Sequence, residues 1–128
     1  MALTPLAGFA QSGNFELELN TATDAGAGCR LTYVATNNTG VALEQTSYEV
    51  VIFDGAGAVS KILVLEFGQL PLSKTRVVQF DLADQACTDI SRILVNNPVD
   101  CNSAAGAHDV CLKGLIASSR SQSIQFGL

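Results

Sequence analysis

Four residues near the C-terminus have the side chains from which metal and redox sites are built. Cys101, His108, Asp109 and Cys111 all fall in one polar segment that is rich in Ala and Gly. Two thiolates and an imidazole form a donor set that can hold zinc or copper. No Cys-x-x-Cys pair occurs in the chain, so the usual spacings of a zinc knuckle and of a thioredoxin-type redox pair are missing. Two interpretations stay open here, a metal or redox site in the loop from Asp100 to Cys111, or a disulfide that closes this loop.

Other kinds of catalysis find little support in the residue pattern. His108 is the sole histidine, and no serine lies in a Gly-x-Ser-x-Gly elbow, which argues against a Ser-His-acid hydrolase. Glu49 and Glu66 are candidates for a facing carboxylate pair, although Lys61 or Arg76 as counter-ions at the sheet rim fit them better. Asp100, Asn102 and Asp109 lack the regular spacing of calcium loops. We therefore predict that the chain is not an enzyme, with no catalytic residue, no metal ligand and no cofactor.

The composition limits the possible partners and the size of the fold. The chain has 128 residues, of which 48% are hydrophobic and 15% are charged, with a net charge of −5. Because so few basic residues are present, and these are scattered, neither nucleic acid nor an anionic membrane is an expected partner. No apolar run is long enough to span a membrane. We expect one domain over residues 14–128.

The first residues resemble a processing signal more than a folded element. The run Ala2–Ala10 is apolar and ends in small residues, as the end of an export signal does, but it lacks a preceding basic region. Residues 1–13 are therefore predicted to be a residual export signal or, alternatively, a flexible arm.

Apolar residues alternate with polar ones in short segments that are separated by turn-forming residues, which is typical of strands. Phe15, Leu17 and Leu19, for example, alternate with Glu16, Glu18 and Asn20. No amphipathic helix of useful length is visible. The pattern predicts an all-β fold, an immunoglobulin-like β-sandwich of about seven antiparallel strands. The predicted strands cover residues 15–20, 30–36, 47–53, 59–67, 75–82, 90–96 and 111–118, the last with a possible extension over 123–126.

The third and fourth of these strands form the clearest hairpin. They are joined by Asp54–Gly57, a loop of residues that tolerate a positive φ angle. Both strands have apolar residues on both faces, so we expect this hairpin to lie centrally and to be largely buried. Strand six is expected to end at Asn97–Pro98, because proline cannot donate to a sheet ladder.

The predicted strand order selects one pairing of the four cysteines from three possible ones. Cys29 begins the second strand and Cys87 precedes the sixth, and these two positions fall at the same end of a sandwich. Cys101 and Cys111 flank the next loop at the opposite end. We therefore predict the bridges Cys29–Cys87 and Cys101–Cys111, as expected for a protein of an oxidising compartment.

Several segments of the chain together carry a resemblance to known proteins. They are Cys29–Ala35, Asn38–Gly40, Tyr48–Asp54, Leu70–Pro71, Thr75–Val77, Phe80–Leu82 and Cys111–Leu115. Through them the chain resembles a group of small exported bacterial proteins of uncharacterised function with immunoglobulin-like or fibronectin-III-like sandwiches. Such proteins are often labelled as carrying a twin-arginine signal, but no Arg pair is present here, which leaves the export route open. The resemblance implies no catalytic residues.

These observations predict a periplasmic or secreted, non-enzymatic binding or interaction module. Its partner is an unknown protein or small ligand, and the chain is expected to be a monomer or a weak homo-oligomer. The alternative is a metal-binding or redox protein that uses the loop Asp100–Cys111. An exposed apolar patch around Ile124 and Phe126, or an unpaired edge strand, would favour the binding module. Free thiols or a bound metal would favour the alternative.

Overall fold

Two β-sheets pack face to face in the computed structural model, which describes residues 13–128. The first sheet has the strand order β5-β2-β1-β8. The second has the order β4-β3-β6, and both β7 and β9 pair with β6. The predicted all-β sandwich is confirmed. The strands are β1 (Asn14–Ala25), β2 (Gly28–Asn38), β3 (Gln45–Asp54), β4 (Val59–Glu66), β5 (Thr75–Leu82), β6 (Ile90–Ser103), β7 (Gly106–Ala107), β8 (Leu115–Ser119) and β9 (Gln125–Gly127).

The prediction of about seven antiparallel strands was wrong in number and partly in direction. Nine strands are present in residues 13–128. The number was underestimated because β7 and β9 are too short to show an alternating pattern in the sequence. Two pairings are parallel, β8 with β1 and β9 with β6. The segment predicted as one final strand from Cys111 is instead a short helix, α1 (Val110–Lys113), followed by β8. The suggested extension over 123–126 contributes to β9, which belongs to the other sheet.

The first strand buries one face, as its alternation predicts. Phe15, Leu17 and Leu19 are at most 1% exposed, and they point into the core. The strand continues past a register shift at Leu19/Thr21 as far as Ala25, so it extends five residues beyond the predicted end at residue 20. The turn that follows is tight. Gly26 has a φ angle of 62°, and a Cβ at Gly28 would collide with the carbonyl oxygen of Leu82.

The central hairpin is only half buried. Its first strand, β3, lies between β4 and β6, and its core-facing residues Tyr48, Val50 and Ile52 are at most 1% exposed. Among the described residues, its second strand, β4, pairs with β3 alone and forms an edge of the sheet. The expectation that the hairpin lies centrally and is largely buried is confirmed for β3 and was wrong for β4, because the apolar residues on the outer face of β4 are not covered by any described residue.

Strand β6 does not end at Asn97–Pro98 as expected. It continues to Ser103, and Pro98 lies opposite Tyr48 of β3. The ladder has register shifts on both sides of this pair, and such bulges accommodate a proline. The other side of β6 is also unpaired at Pro98, because β9 pairs with residues 92–94 and β7 with residues 102–103. The missing N–H group therefore costs little at this position.

Aromatic side chains fill the middle of the core. The Tyr33 ring packs edge-on against the rings of Phe67, Phe80 and Phe126, with centroid distances of 4.9 to 6.0 Å. Tyr48 packs against Phe15, and its hydroxyl donates a hydrogen bond of 2.6 Å to the carbonyl oxygen of Cys111. This bond ties the core to α1, the element that follows the C-terminal loop.

Two further expectations concern parts of the chain outside the sandwich. The predicted export signal or arm over residues 1–13 lies outside the described residues, apart from Gly13. Among the residues that the structure describes, no helix is long and apolar enough to cross a membrane.

Candidate functional site

The C-terminal loop, the strongest chemical candidate in the sequence, is closed by a disulfide. Cys101 near the end of β6 and Cys111 in α1 are bridged, with a Cα–Cα distance of 6.0 Å. In the bridged state neither sulfur is a thiolate, so the soft ligands that a zinc or copper site needs are not available. In residues 13–128, no three His, Cys, Asp or Glu side chains come together in a way that could hold a metal ion.

His108 lies on the exposed side of the same loop. Its backbone N–H donates to the Cys101 carbonyl at 2.8 Å, and its Nδ1 lies 3.6 Å from the Asp109 carboxylate. Asp109 is held more closely by Lys113, whose Nζ is 3.0 Å away, and this hydrogen bond lowers the pKa of the Asp109 carboxyl group. The three side chains form a solvated surface cluster, an arrangement that stabilises α1 through an i, i+4 ion pair.

The calcium candidates in this region are already engaged in the sheet. The Asp100 carboxylate accepts a hydrogen bond of 2.9 Å from the Ser47 hydroxyl, and Ser47 also accepts a bond from the Asp100 N–H group. The Asn102 amide donates to Gln45 at 3.2 Å. These bonds join β6 to β3. Since Asp109 is paired with Lys113 elsewhere, the three predicted oxygen ligands do not form a common site.

Glu49 and Glu66 do not face each other as a catalytic pair. Glu49 lies opposite Val64 in the β3–β4 ladder, and Glu66 lies opposite Ser47, so the two acids are diagonal neighbours. Glu49 accepts a hydrogen bond from Asn96 at 2.7 Å. The counter-ions suggested for them are not bound to them either. Lys61 donates to the Ala83 carbonyl and Arg76 to the Gln69 carbonyl.

The second predicted bridge closes the opposite end of the sandwich. Cys29 at the start of β2 is bridged to Cys87, which begins a 3₁₀ turn before β6, with a Cα–Cα distance of 4.8 Å. The Asp24 carboxylate accepts the Cys87 N–H at 2.9 Å. The structure thus contains both predicted bridges, and it contains no free cysteine. Both bridges have a structural role. Cys29–Cys87 joins β2 to the 3₁₀ turn before β6, and Cys101–Cys111 joins β6 to α1.

The largest concentration of exposed apolar side chains on a sheet edge lies on β4. Val59, Ile62 and Val64 are 55%, 61% and 49% exposed, and we call these three residues the β4 surface. They point away from the core, since their partners in the ladder, Phe53, Val51 and Glu49, lie on the outer face of β3. No sequence pattern distinguishes this surface, because an apolar strand is equally consistent with a buried central position and with an exposed edge.

The patch that the sequence suggested near the C-terminus is not exposed. Ile124 and Phe126 are 2% and 6% exposed, and both belong to the core. The other condition that would favour a binding module, an unpaired edge strand, is met within the described residues by β4, β5 and β8, and of these β4 has the most exposed apolar side chains. The exposed apolar contact surface thus lies on a different element from the one that the sequence indicated.

A small depression lies beside the outer face of β3. It is lined by Phe53, Gly57, Ser91, Arg92 and Gln125. The guanidinium of Arg92 lies 5.3 Å from the centroid of the Phe53 ring, a cation–π contact. This contact covers one side of Phe53 and marks the limit of the apolar outer face.

We compared the chain with protein-family models, curated proteins and solved structures, and no match was found in any of the three.

Proposed function

We propose that the protein is an exported, non-enzymatic interaction module, and that its partner adds a β-strand to β4. The observation that supports this proposal most strongly is the β4 surface, three apolar side chains at least 49% exposed on a strand that pairs on one side only within residues 13–128. An unpaired edge supplies backbone N–H and C=O groups for strand addition, and alternate side chains supply specificity.

The edge of β4 has few of the devices that usually prevent such pairing. Natural edge strands carry charged side chains, inward-pointing charges, prolines or bulges. The sequence of β4 contains no proline. Its one lysine, Lys61, lies near the start of the strand opposite Ile52 and donates to the Ala83 carbonyl at 3.1 Å. The ladder with β3 has a single irregularity, at Ile52/Phe53, beside the start of the strand. The remaining residues therefore present a regular and largely apolar edge.

Export is supported by the cysteines. All four are bridged, and disulfides persist in oxidising compartments, whereas the cytosol keeps thiols reduced. The resemblance to small exported bacterial proteins and the composition of residues 2–10 point in the same direction. We place the protein in the periplasm or outside the cell on these grounds.

Site-specific photo-crosslinking of the full chain in cells that export it tests this proposal. A photoreactive residue at the position of Ile62 is expected to yield crosslinked species, since a bound strand would lie directly beside it. The matched control is the same residue at the position of Ile116 on β8, which is 48% exposed on the other sheet. Equal crosslinking at both positions, or none at Ile62, would contradict the proposal.

A further inference from the structure

We infer that the strand added to β4 is β4 of a second copy of this chain, in a two-fold symmetric dimer. This inference rests on the proposed function and names the partner. Two features of the described residues support it: the apolar residues of β4 match themselves in antiparallel register, and the charges of β5 have opposite signs at its two ends.

The register of a β4–β4 pair follows from sheet geometry. Directly opposite residues of an antiparallel pair lie on the same face of the sheet. A two-fold axis at Leu63 places Ile62 opposite Val64 of the second copy, and Val64 opposite Ile62 of that copy. Both residues are about half or more exposed in the single chain, with values of 61% and 49%. The dimer would cover them with each other and join the two β4-containing sheets into one.

The charges of β4 are compatible with this register. Lys61 near the start and Glu66 at the end are the only charged residues of the strand. With the axis at Leu63, Lys61 lies opposite Leu65 of the second copy and Glu66 lies opposite Ser60. No charged residue of β4 therefore lies opposite a like charge.

Strand β5, on the same side of the sandwich, has charges of opposite sign at its two ends. Lys74 and Arg76 lie at its start, and Asp84 follows its end. The start of β5 lies near the end of β4, since Arg76 donates to the Gln69 carbonyl, and the end of β5 lies near the start of β4, since Lys61 donates to the Ala83 carbonyl. A two-fold axis exchanges these ends, so the basic start of β5 approaches Asp84 of the second copy.

These charged groups are available for such contacts. Asp81 near the end of β5 already forms an ion pair with Arg30 at 2.8 Å, so it is not counted among the charges that face the second copy. Lys61, Glu66, Lys74, Arg76 and Asp84 form no ion pair in the part of the chain that the structure describes. A chain with a net charge of −5 would repel a copy of itself over most of its surface. On this side three positive charges stand against two negative ones, so the excess of negative charge that the whole chain carries is absent here.

Sedimentation velocity of the purified full chain over a range of concentrations tests the inference. We expect a reversible monomer–dimer equilibrium. The variant Ile62→Lys should remain monomeric at every concentration, because two lysines would lie within the apolar contact. The matched control Ile116→Lys adds the same charge at a comparably exposed site on β8 and should dimerise like the unchanged protein.

A charge exchange provides a second test that does not depend on an apolar substitution. Asp84→Lys should weaken the dimer by a factor on the order of ten, since it replaces the two attractive contacts with the basic start of β5 by repulsive ones. The double variant Asp84→Lys/Lys74→Asp should restore most of the affinity. Circular dichroism and intact mass with both bridges formed establish that each variant is folded.

Three results would overturn the inference: a monomer at all concentrations, equal effects of Ile62→Lys and Ile116→Lys, or failure of the double variant to restore dimerisation. A monomeric chain that still crosslinks through Ile62 to a different protein would overturn the inference alone and leave the proposed function standing. Absence of any crosslink at Ile62 would contradict both.

Discussion

Tyr33 and Tyr48 are both fully buried, but only one of their hydroxyl groups is satisfied. The Tyr48 hydroxyl donates to the Cys111 carbonyl, whereas the Tyr33 hydroxyl has no hydrogen-bond partner among residues 13–128. A buried polar group without a partner lowers stability, and a buried hydrogen bond contributes about 1 kcal/mol. The two residues therefore make a natural pair for comparison.

Replacing each tyrosine by phenylalanine should have different effects on the free energy of unfolding. We expect Tyr48→Phe to lower it by about 1 to 3 kcal/mol, because the Cys111 carbonyl is left without its donor. Tyr33→Phe removes an unsatisfied hydroxyl and should leave the stability unchanged or raise it. Urea denaturation of both variants measures the difference. A larger loss for Tyr33→Phe than for Tyr48→Phe would show that the Tyr33 hydroxyl has a partner.

Burial also raises the pKa of both tyrosines above the ordinary value of 10.0. The neutral hydroxyl is favoured in the folded chain, so this contribution to stability is complete below the unfolded pKa and is lost as the pH rises above it. The chain has no other tyrosine and no tryptophan. We expect ultraviolet absorbance to show that both tyrosines ionise together with unfolding. Ionisation of either near pH 10, with circular dichroism unchanged, would contradict the described core.

The two disulfides differ at the scale of the elements that they join. Cys29–Cys87 closes a loop with a sequence separation of 58, and Cys101–Cys111 closes one of 10. In the loop-entropy account, the first bridge contributes about 4 kcal/mol and the second about 2.5 kcal/mol. The larger contribution comes from the longer segment that is constrained in the unfolded chain.

Paired Cys→Ser variants test this order. We expect Cys29→Ser/Cys87→Ser to lower the midpoint of thermal unfolding more than Cys101→Ser/Cys111→Ser does, because it removes the longer constraint. Differential scanning calorimetry of the two proteins gives the midpoints. The opposite order would indicate that strand β6 and helix α1 depend on their bridge for packing, not only for chain entropy.

The sequence predicted the elements that have one buried face and missed those defined by their neighbours. The alternation of apolar and polar residues was sufficient to predict β1. The predicted strand order was sufficient to predict the bridge between Cys29 and Cys87. The continuation of β6 through Pro98 was not predictable, because it depends on bulges against β3. The short strands β7 and β9 depend on β6 as a template.

The candidate site shows the same limit more clearly. The residue types alone suggested a metal or redox site at Cys101, His108, Asp109 and Cys111. The structure brings the two cysteines together as a disulfide bridge. The β4 surface was missed because its composition matches that of a buried strand. Only the strand order shows that β4 has a neighbour on one side and none on the other within the described chain.

At the scale of the whole molecule, the fold places the β4 surface and the oppositely charged ends of β5 on one side of the sandwich. The disulfides lie at the two ends of the sandwich and leave this side free. An interaction module of this kind does not need a catalytic group. It needs a rigid sheet with one edge that accepts a strand, and the sandwich supplies it.

Pairing of β4 with β4 of a second copy is tested most directly by backbone amide exchange of the purified full chain, followed by mass spectrometry at low and at high protein concentration. The N–H groups at the free edge of β4 exchange with solvent in the monomer and are protected when a second strand pairs with them. We predict that peptides covering Val59–Glu66 become protected as the concentration rises, while peptides covering β8 do not change. Exchange in β4 that is the same at both concentrations would contradict pairing between copies through this edge.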